Sequence, residues 1–127
     1  MARRTFNRPI ARSAREDRTY LDVVYDSKLE MRRAAELEVL RRAGHIRAWY
    51  RQVPVQLGRD TSTRIDFLVI GLEYNWFEEP KGFDTPAFRS IKGLWLKYGP
   101  TKLHIFYPKG KSNWRIEVLA RGSEARA

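Results

Sequence analysis

Cysteine is absent from the chain of 127 residues, so disulfides and thiolate metal sites are excluded. Long apolar runs are also absent, and none approaches the roughly 18 residues that a membrane-spanning helix needs. The N-terminal stretch is basic but lacks the apolar segment of a secretory signal. From these absences we expect a cytoplasmic protein without a membrane partner.

Acidic residues are few, because 15 Asp and Glu stand against 25 Lys and Arg, which gives a formal net charge of +10. This charge indicates a polyanionic partner, most simply nucleic acid, with an anionic membrane surface as the competing hypothesis. No acidic residue occurs between Thr85 and Ile116, a stretch rich in Lys and Arg. A solvated basic face is the alternative interpretation of this stretch. The DNA-binding residues predicted within it are Arg89, Lys92, Lys97, Lys109 and Lys111.

The apolar content of 43% fits one compact domain with a single core. We assign residues 20–120 to this domain, residues 1–19 to a flexible basic arm and residues 121–127 to a frayed tail. The arm contains almost nothing to bury, and we expect it to become ordered on nucleic acid. Its predicted DNA-binding residues are Arg3, Arg4, Arg8 and Arg12. A solvated tail that only improves solubility is the alternative.

Capping residues and hydrophobic periodicity predict two helices and five main strands. The helices are expected over 27–43 and 85–98. The strands are expected over 46–57, 63–70, 74–81, 102–107 and 114–119. The resulting order, αβββαββ, predicts an α/β (α+β) fold with a mixed sheet flanked by helices.

Charged residues interrupt two of these strands where apolar side chains are the rule. Asp66 lies within an otherwise apolar strand, and the next strand ends in Glu79 and Lys81. Residues two apart on a strand share a face, so Glu79 and Lys81 project together, and Asp66 meets them if the strands pair. Two carboxylates beside a lysine predict a divalent-metal site. An ordinary salt-bridged cluster at the end of a sheet is the alternative.

Glu30 supplies a third acid near the start of the first helix. Ser27 and Glu30 have the spacing of a capping box, in which the serine hydroxyl and the acid each bind an N–H group at the start of the helix. Glu30 also borders the buried stripe of the helix, since Ala34 and Leu37 follow at spacings of four and seven. A carboxylate there reaches the predicted metal site, and the two roles compete for the same oxygens.

The acid-bearing helix, Ile65-Asp66 and Glu79-Pro80-Lys81 together resemble the PD-(D/E)xK nuclease superfamily. Over roughly residues 25–107 the arrangement is most similar to the phage endonuclease I type of Holliday-junction resolvase. The resemblance implies a restriction-endonuclease-like fold and location in the cytoplasm of a bacterial host. It also implies a homodimer with exchanged elements that hydrolyses branched DNA with two Mg²⁺ or Mn²⁺ ions in each active site. The implied catalytic set is Glu30, Asp66, Glu79 and Lys81, with the three acids as metal ligands.

The chain departs from the family pattern at two positions. Ile65 stands where a proline usually precedes the aspartate, and Pro80 separates the acid from the lysine. Proline within a sheet is confined to edges, strand ends and bulges, so we expect the strand to end or bulge at Pro80. Glu78 is the alternative ligand if the register shifts by one residue.

The sequence leaves hypotheses of two classes. The first is a metal-dependent, structure-selective DNA endonuclease, with a nicking or restriction/mismatch-type enzyme as the nearest alternative to a resolvase. The second is a non-catalytic, basic nucleic-acid-binding protein on the same fold. Metal dependence separates them, because only the enzyme needs a cation for its activity.

Overall fold

The computed structural model describes residues 14–122. It confirms the predicted α/β (α+β) class with a mixed sheet. The arm residues Arg3, Arg4, Arg8 and Arg12 and the tail beyond residue 122 lie outside the described residues. The helices are α1 (Lys28–Arg42) and α2 (Pro86–Tyr98). The strands are β1 (Thr19–Tyr20), β2 (Val23–Val24), β3 (Ala48–Gln56), β4 (Ser62–Ile70), β5 (Asn75–Pro80), β6 (Leu103–Lys109) and β7 (Asn113–Leu119).

Strands β3 to β7 form one mixed sheet in the order β3-β4-β5-β6-β7. Neighbouring strands are antiparallel except for β5 and β6, which run parallel because α2 lies between them in the chain. From α1 onward the element order is the predicted αβββαββ. Strand β5 therefore occupies the middle of the sheet.

The two helices pack on separate apolar cores. Helix α2 contributes Phe88 and Trp95 to a core that also contains Phe77 and Leu103 of the sheet. Helix α1 contributes Ala34 and Leu37 to a second core, built with Phe67 and Val69 among others. The sheet is thus covered on both faces, as the sequence predicts.

Both helices begin at the predicted caps. The Ser27 hydroxyl accepts a hydrogen bond from the Glu30 N–H at 3.0 Å, and the Thr85 hydroxyl accepts one from the Phe88 N–H at 3.1 Å. Each cap satisfies one of the N–H groups that a helix start leaves without a partner. These starts place Glu30 in the first turn of α1 and fix the entry of α2 just beyond Lys81.

The segment before α1 is more regular than the sequence indicates. A 3-10 helix covers Arg15–Arg18, and β1 pairs with β2 as a hairpin. Arg18 is buried and donates a hydrogen bond to the Tyr25 carbonyl.

No helix within residues 14–122 is long and apolar enough to cross a bilayer.

The alternation of side chains between the two faces of the sheet reverses in β3 and β4 where Gln52 lies opposite Asp66. The ladder passes from Arg51 opposite Phe67 to Val53 opposite Ile65 without an inserted residue. Ile65 nevertheless packs in the α2 core, whereas Phe67 packs in the α1 core. Residues two apart would otherwise share a face, so the side chains change faces at Asp66. Gln52 adopts a left-handed φ of 53°, which turns the chain at this point.

Candidate active site

Pro80 ends β5 beside the predicted site. The N–H groups of Phe77 and Lys81 donate to the Lys102 and Phe106 carbonyls at 2.9 Å, so alternation turns the Pro80 nitrogen toward β4. The pairing of β4 with β5 stops two residues earlier, at Phe67 opposite Glu78. Proline is accommodated because no donor is needed there. The predicted end of the strand at Pro80 is confirmed.

Glu79 occupies the gap that opens between β4 and β5. Its Oε1 accepts a hydrogen bond from the Asp66 N–H at 2.9 Å, which replaces the missing ladder bond. Its Oε2 lies 3.4 Å from Lys81 Nζ, so the two side chains project together as predicted. The Lys81 ammonium also lies 4.6 Å from the centre of the Phe88 ring. One end of a central strand therefore holds an acid and a lysine against Asp66.

Gln52 contacts the side chains of both Glu30 and Asp66. Its Nε2 donates to Glu30 Oε2 at 2.8 Å and lies 3.3 Å from Asp66 Oδ1. These two contacts with one nitrogen place the Glu30 and Asp66 oxygens within about 6 Å of each other. The Ser27 cap and the contact with Gln52 use different atoms of Glu30, its N–H and its carboxylate. Glu30 thus takes part in capping and still turns its acid toward the site.

A cleft of about 340 Å³ is lined by all four predicted catalytic residues, Glu30, Asp66, Glu79 and Lys81. A second depression shares Glu79, Lys81 and Thr85 with it and continues toward Arg64. Phe83 stands at the rim of the cleft with 65% of its surface exposed. The acids are therefore reachable from solvent through a groove that begins at α1 and leads toward the start of α2.

The three carboxyl groups are held at raised pKa values. Burial raises the pKa of Glu30, and the nearby Gln52 and Arg51 only partly oppose it. Burial and the charges of Glu79 and Glu30 raise the pKa of Asp66 to about 8. Burial also raises the pKa of Glu79, against the hydrogen bond from Asp66 and the charge of Lys81. Burial therefore opposes ionisation of all three acids, and the neighbouring cations do not fully compensate for it.

Two other acids of the protein are balanced, and they show what a structural role looks like here. Glu78 is fully buried and receives two hydrogen bonds from Arg33, at 2.6 and 3.1 Å, and one from Trp76. Hydrogen bonds from Arg41 and Trp49 lower the pKa of Glu38. Glu78 projects to the face covered by α1, away from the cleft, so it is not an alternative ligand.

The predicted DNA-binding residues that lie within the described part of the chain differ in their surroundings. Arg89, Lys97, Lys109 and Lys111 are exposed. Lys92 instead lies 2.9 Å from Asp84 and 2.8 Å from Glu117, and these bonds raise its pKa although burial lowers it. Two carboxylates therefore already neutralise Lys92, which favours a structural role over phosphate binding.

The donor set suits a hard divalent cation. Glu30, Asp66 and Glu79 offer only oxygen atoms, the ligands that Mg²⁺ and Mn²⁺ prefer. Within residues 14–122 no group of three His, Asp or Glu side chains lies close enough together to hold a metal ion. Gln52 instead bridges Glu30 and Asp66. Binding of a cation would require these acids to move closer together.

Three residues at the site could not be predicted from the sequence. Gln52 bridges two acids, and Arg51 Nη2 lies 3.7 Å from Glu30 while its Nε has no hydrogen-bond partner within the described residues. Phe83 is exposed at the rim. The only indication of a role for Gln52 in the sequence is its polar amide side chain, which lies between Trp49 and Val53 in a strand with few polar side chains.

The chain matches no family model, and no curated protein or solved structure is significantly similar to it. Its function is therefore inferred from the geometry of the site.

The raised pKa of Asp66 predicts that the protein loses stability as pH rises. The unfolded chain releases this proton near pH 4, whereas the folded protein retains it until about pH 8, so folding is penalised progressively across that window. Asp66→Asn removes the penalty and should raise the free energy of unfolding by roughly 1–3 kcal/mol at pH 8 in chelator. Denaturant unfolding at pH 5 and pH 8 measures the difference.

Asp60→Asn, at an exposed loop position, is the control. Equal stabilities of Asp66→Asn and wild type at pH 8 would show that folding does not raise the pKa of this carboxyl group.

Proposed function

We propose that the protein is a metal-dependent, structure-selective DNA endonuclease that hydrolyses phosphodiester bonds in branched DNA, including four-way junctions. One observation carries the proposal: three carboxyl groups with raised pKa values, of which those of Glu30 and Glu79 are buried, face one open cleft beside Lys81. Acids that serve only the fold are balanced in this protein, as Glu78 is by Arg33. Acids with perturbed pKa values that line a cleft are typical of functional sites.

The residues divide the work of hydrolysis between them. Glu30, Asp66 and Glu79 would hold Mg²⁺ or Mn²⁺, which supplies positive charge at the scissile phosphate and makes a bound water more acidic. Glu79 keeps its orientation because one oxygen is fixed on the Asp66 N–H. Lys81 places an ammonium at the mouth of the same cleft, where it can donate to a phosphate oxygen as negative charge develops.

Positive groups near the cleft support DNA as the substrate. The groove continues from Lys81 toward the exposed Arg64 and the first turn of α2. Arg89 and Lys97 are exposed on α2. The formal net charge of +10 adds a long-range attraction for any nucleic acid. Phosphates on either side of the cleaved bond would therefore meet cations, while the acids are left to the metal.

Resolution of a four-way junction adds a requirement of symmetry. Two coordinated cuts need two active sites related by a two-fold axis, so the resolvase form of the proposal includes a homodimer. Exchange of elements between the two chains is part of this proposal. A protein that is monomeric both free and on DNA would be restricted to nicking.

The test is cleavage of end-labelled four-way junction, linear duplex and single-stranded DNA of the same sequence. Each substrate is incubated with Mg²⁺, with Mn²⁺ and with chelator, and Asp66→Asn serves as a folded control in which one metal ligand is weakened. We expect metal-dependent cuts placed symmetrically near the junction centre, absent in chelator and strongly reduced in Asp66→Asn. Size measurements of the free protein and of its junction complex determine the stoichiometry.

The other outcomes separate the competing hypotheses. Cleavage of linear duplex alone would indicate a nicking or restriction-type endonuclease and contradict junction selectivity. Tight junction binding without cleavage in either metal would contradict the enzyme and leave a non-catalytic DNA-binding protein. Cleavage that persists in chelator would contradict the role assigned to the three acids.

A further inference from the structure

Gln52 is distinguished by its backbone as much as by its side chain. It lies in the middle of β3 yet adopts a left-handed φ of 53°, a conformation that residues other than glycine, asparagine and aspartate rarely occupy. The neighbouring pairs, Arg51 with Phe67 and Val53 with Ile65, are regular. A regular strand interrupted by one unfavourable conformation implies that the surroundings of Gln52 compensate for it.

The compensation comes from the amide, which reaches both Glu30 and Asp66. Gln52 Nε2 lies 2.8 Å from Glu30 Oε2 and 3.3 Å from Asp66 Oδ1. Glu30 comes from the first turn of α1, whereas Asp66 comes from the adjacent strand. The amide is therefore a neutral link between two acids that belong to different layers.

We propose that Gln52 is a positioning residue for divalent-cation binding, whose left-handed backbone directs its amide between Glu30 and Asp66. The proposal rests on the proposed function, because the cation is the one required for phosphodiester hydrolysis. Gln52 holds the Glu30 and Asp66 oxygens within about 6 Å of each other, and the cation would then draw them closer together. Partners of this kind commonly change metal affinity when they are lost.

Replacement of Gln52 by glycine separates the effect of the amide side chain from the effect of the backbone conformation. Glycine adopts a φ near +53° without steric cost, so Gln52→Gly preserves the turn of the strand and removes only the side chain. We expect a melting temperature in chelator within a few degrees of wild type, and an affinity for Mn²⁺ lower by about 10- to 100-fold. Affinity is measured by titration with MnCl₂, following free Mn²⁺ by electron paramagnetic resonance.

Replacement by glutamate tests the same contact in the opposite direction. Gln52→Glu places a third carboxylate against Glu30 and Asp66, so like charges should lower the melting temperature in chelator. Added Mn²⁺ relieves that repulsion and should raise the melting temperature of Gln52→Glu by more than it raises that of wild type. Gln56→Ala, in the same strand but exposed, is the matched control, and its Mn²⁺ affinity should equal that of wild type.

The outcomes distinguish the positioning role from the proposed function. If wild type binds Mn²⁺ and Gln52→Gly binds it equally well, the positioning role is overturned while the endonuclease proposal stands. If wild type binds no Mn²⁺ at all, the metal site fails and the role of Gln52 fails with it. Should Gln52→Gly not fold, Gln52→Glu decides: a stabilisation by Mn²⁺ no larger than that of wild type overturns the proposal.

Discussion

Lys81→Met is expected to lower kcat for DNA cleavage by roughly 10²–10³-fold, the usual cost of removing one donor from a developing negative charge. The Lys81 ammonium lines the cleft with the three acids and lies 3.4 Å from Glu79 Oε2. Methionine retains most of the aliphatic stem that brings this side chain over the Phe88 ring, so packing is largely preserved. The loss should therefore be chemical, and single-turnover cleavage at saturating protein measures it directly.

Lys97→Met provides the comparison for this variant. Lys97 is exposed near the end of α2 and lies outside the residues that line the cleft. Its replacement also removes one positive charge, so it should weaken junction binding slightly and change the slope of binding against salt by about one unit. The single-turnover rate should remain that of wild type. If Lys81→Met cleaves as fast as Lys97→Met, Lys81 does not participate in the reaction.

Arg33→Met is expected to destabilise the protein by about 3–5 kcal/mol, because it leaves the Glu78 carboxylate buried without its cation. The Glu78 side chain is fully buried, and its oxygens accept hydrogen bonds from Arg33 Nε at 2.6 Å and Nη2 at 3.1 Å. Trp76 supplies one further donor and no charge. Urea unfolding monitored by tryptophan fluorescence and far-UV circular dichroism gives the free energy of unfolding.

A second substitution identifies the cause of this loss. In Arg33→Met combined with Glu78→Gln the buried charge is gone, so a large part of the lost stability should return. Arg42→Met, on the exposed side of the same helix, should stay close to wild type. If the double variant is no more stable than Arg33→Met, loss of packing around Arg33 explains the effect and the unpaired charge does not.

The parts of the fold that are encoded locally could be predicted from the sequence. Ser27 and Thr85 marked the helix starts because each hydroxyl accepts from an N–H three residues later. Pro80 marked the end of a strand because proline cannot donate to a ladder. The candidate site residues could be predicted for the same reason: Glu79 and Lys81 are two apart, and Asp66 is a charge in an apolar strand.

The features that were missed depend on contacts between distant residues. Nothing within α1 indicates that Arg33 pairs with Glu78, 45 residues away. Lys92 belongs to a basic stretch in the sequence but meets Asp84 and Glu117 in the fold. The β1–β2 hairpin turns at Leu21 and Asp22, both at positive φ, where the usual turn signal of glycine or asparagine is lacking.

The reversal of side-chain faces in β3 and β4 at Gln52 and Asp66 has a consequence for how the domain unfolds. Strand β4 supplies Ile65 to the core under α2, and Phe67 and Val69 to the core under α1. Neither helix layer can detach without disturbing the strand that the other layer needs. The two cores therefore form one cooperative folding unit, in which local opening around either helix loosens the same carboxylates. The candidate active site lies where the two halves of that unit are joined, so its geometry depends on the integrity of both.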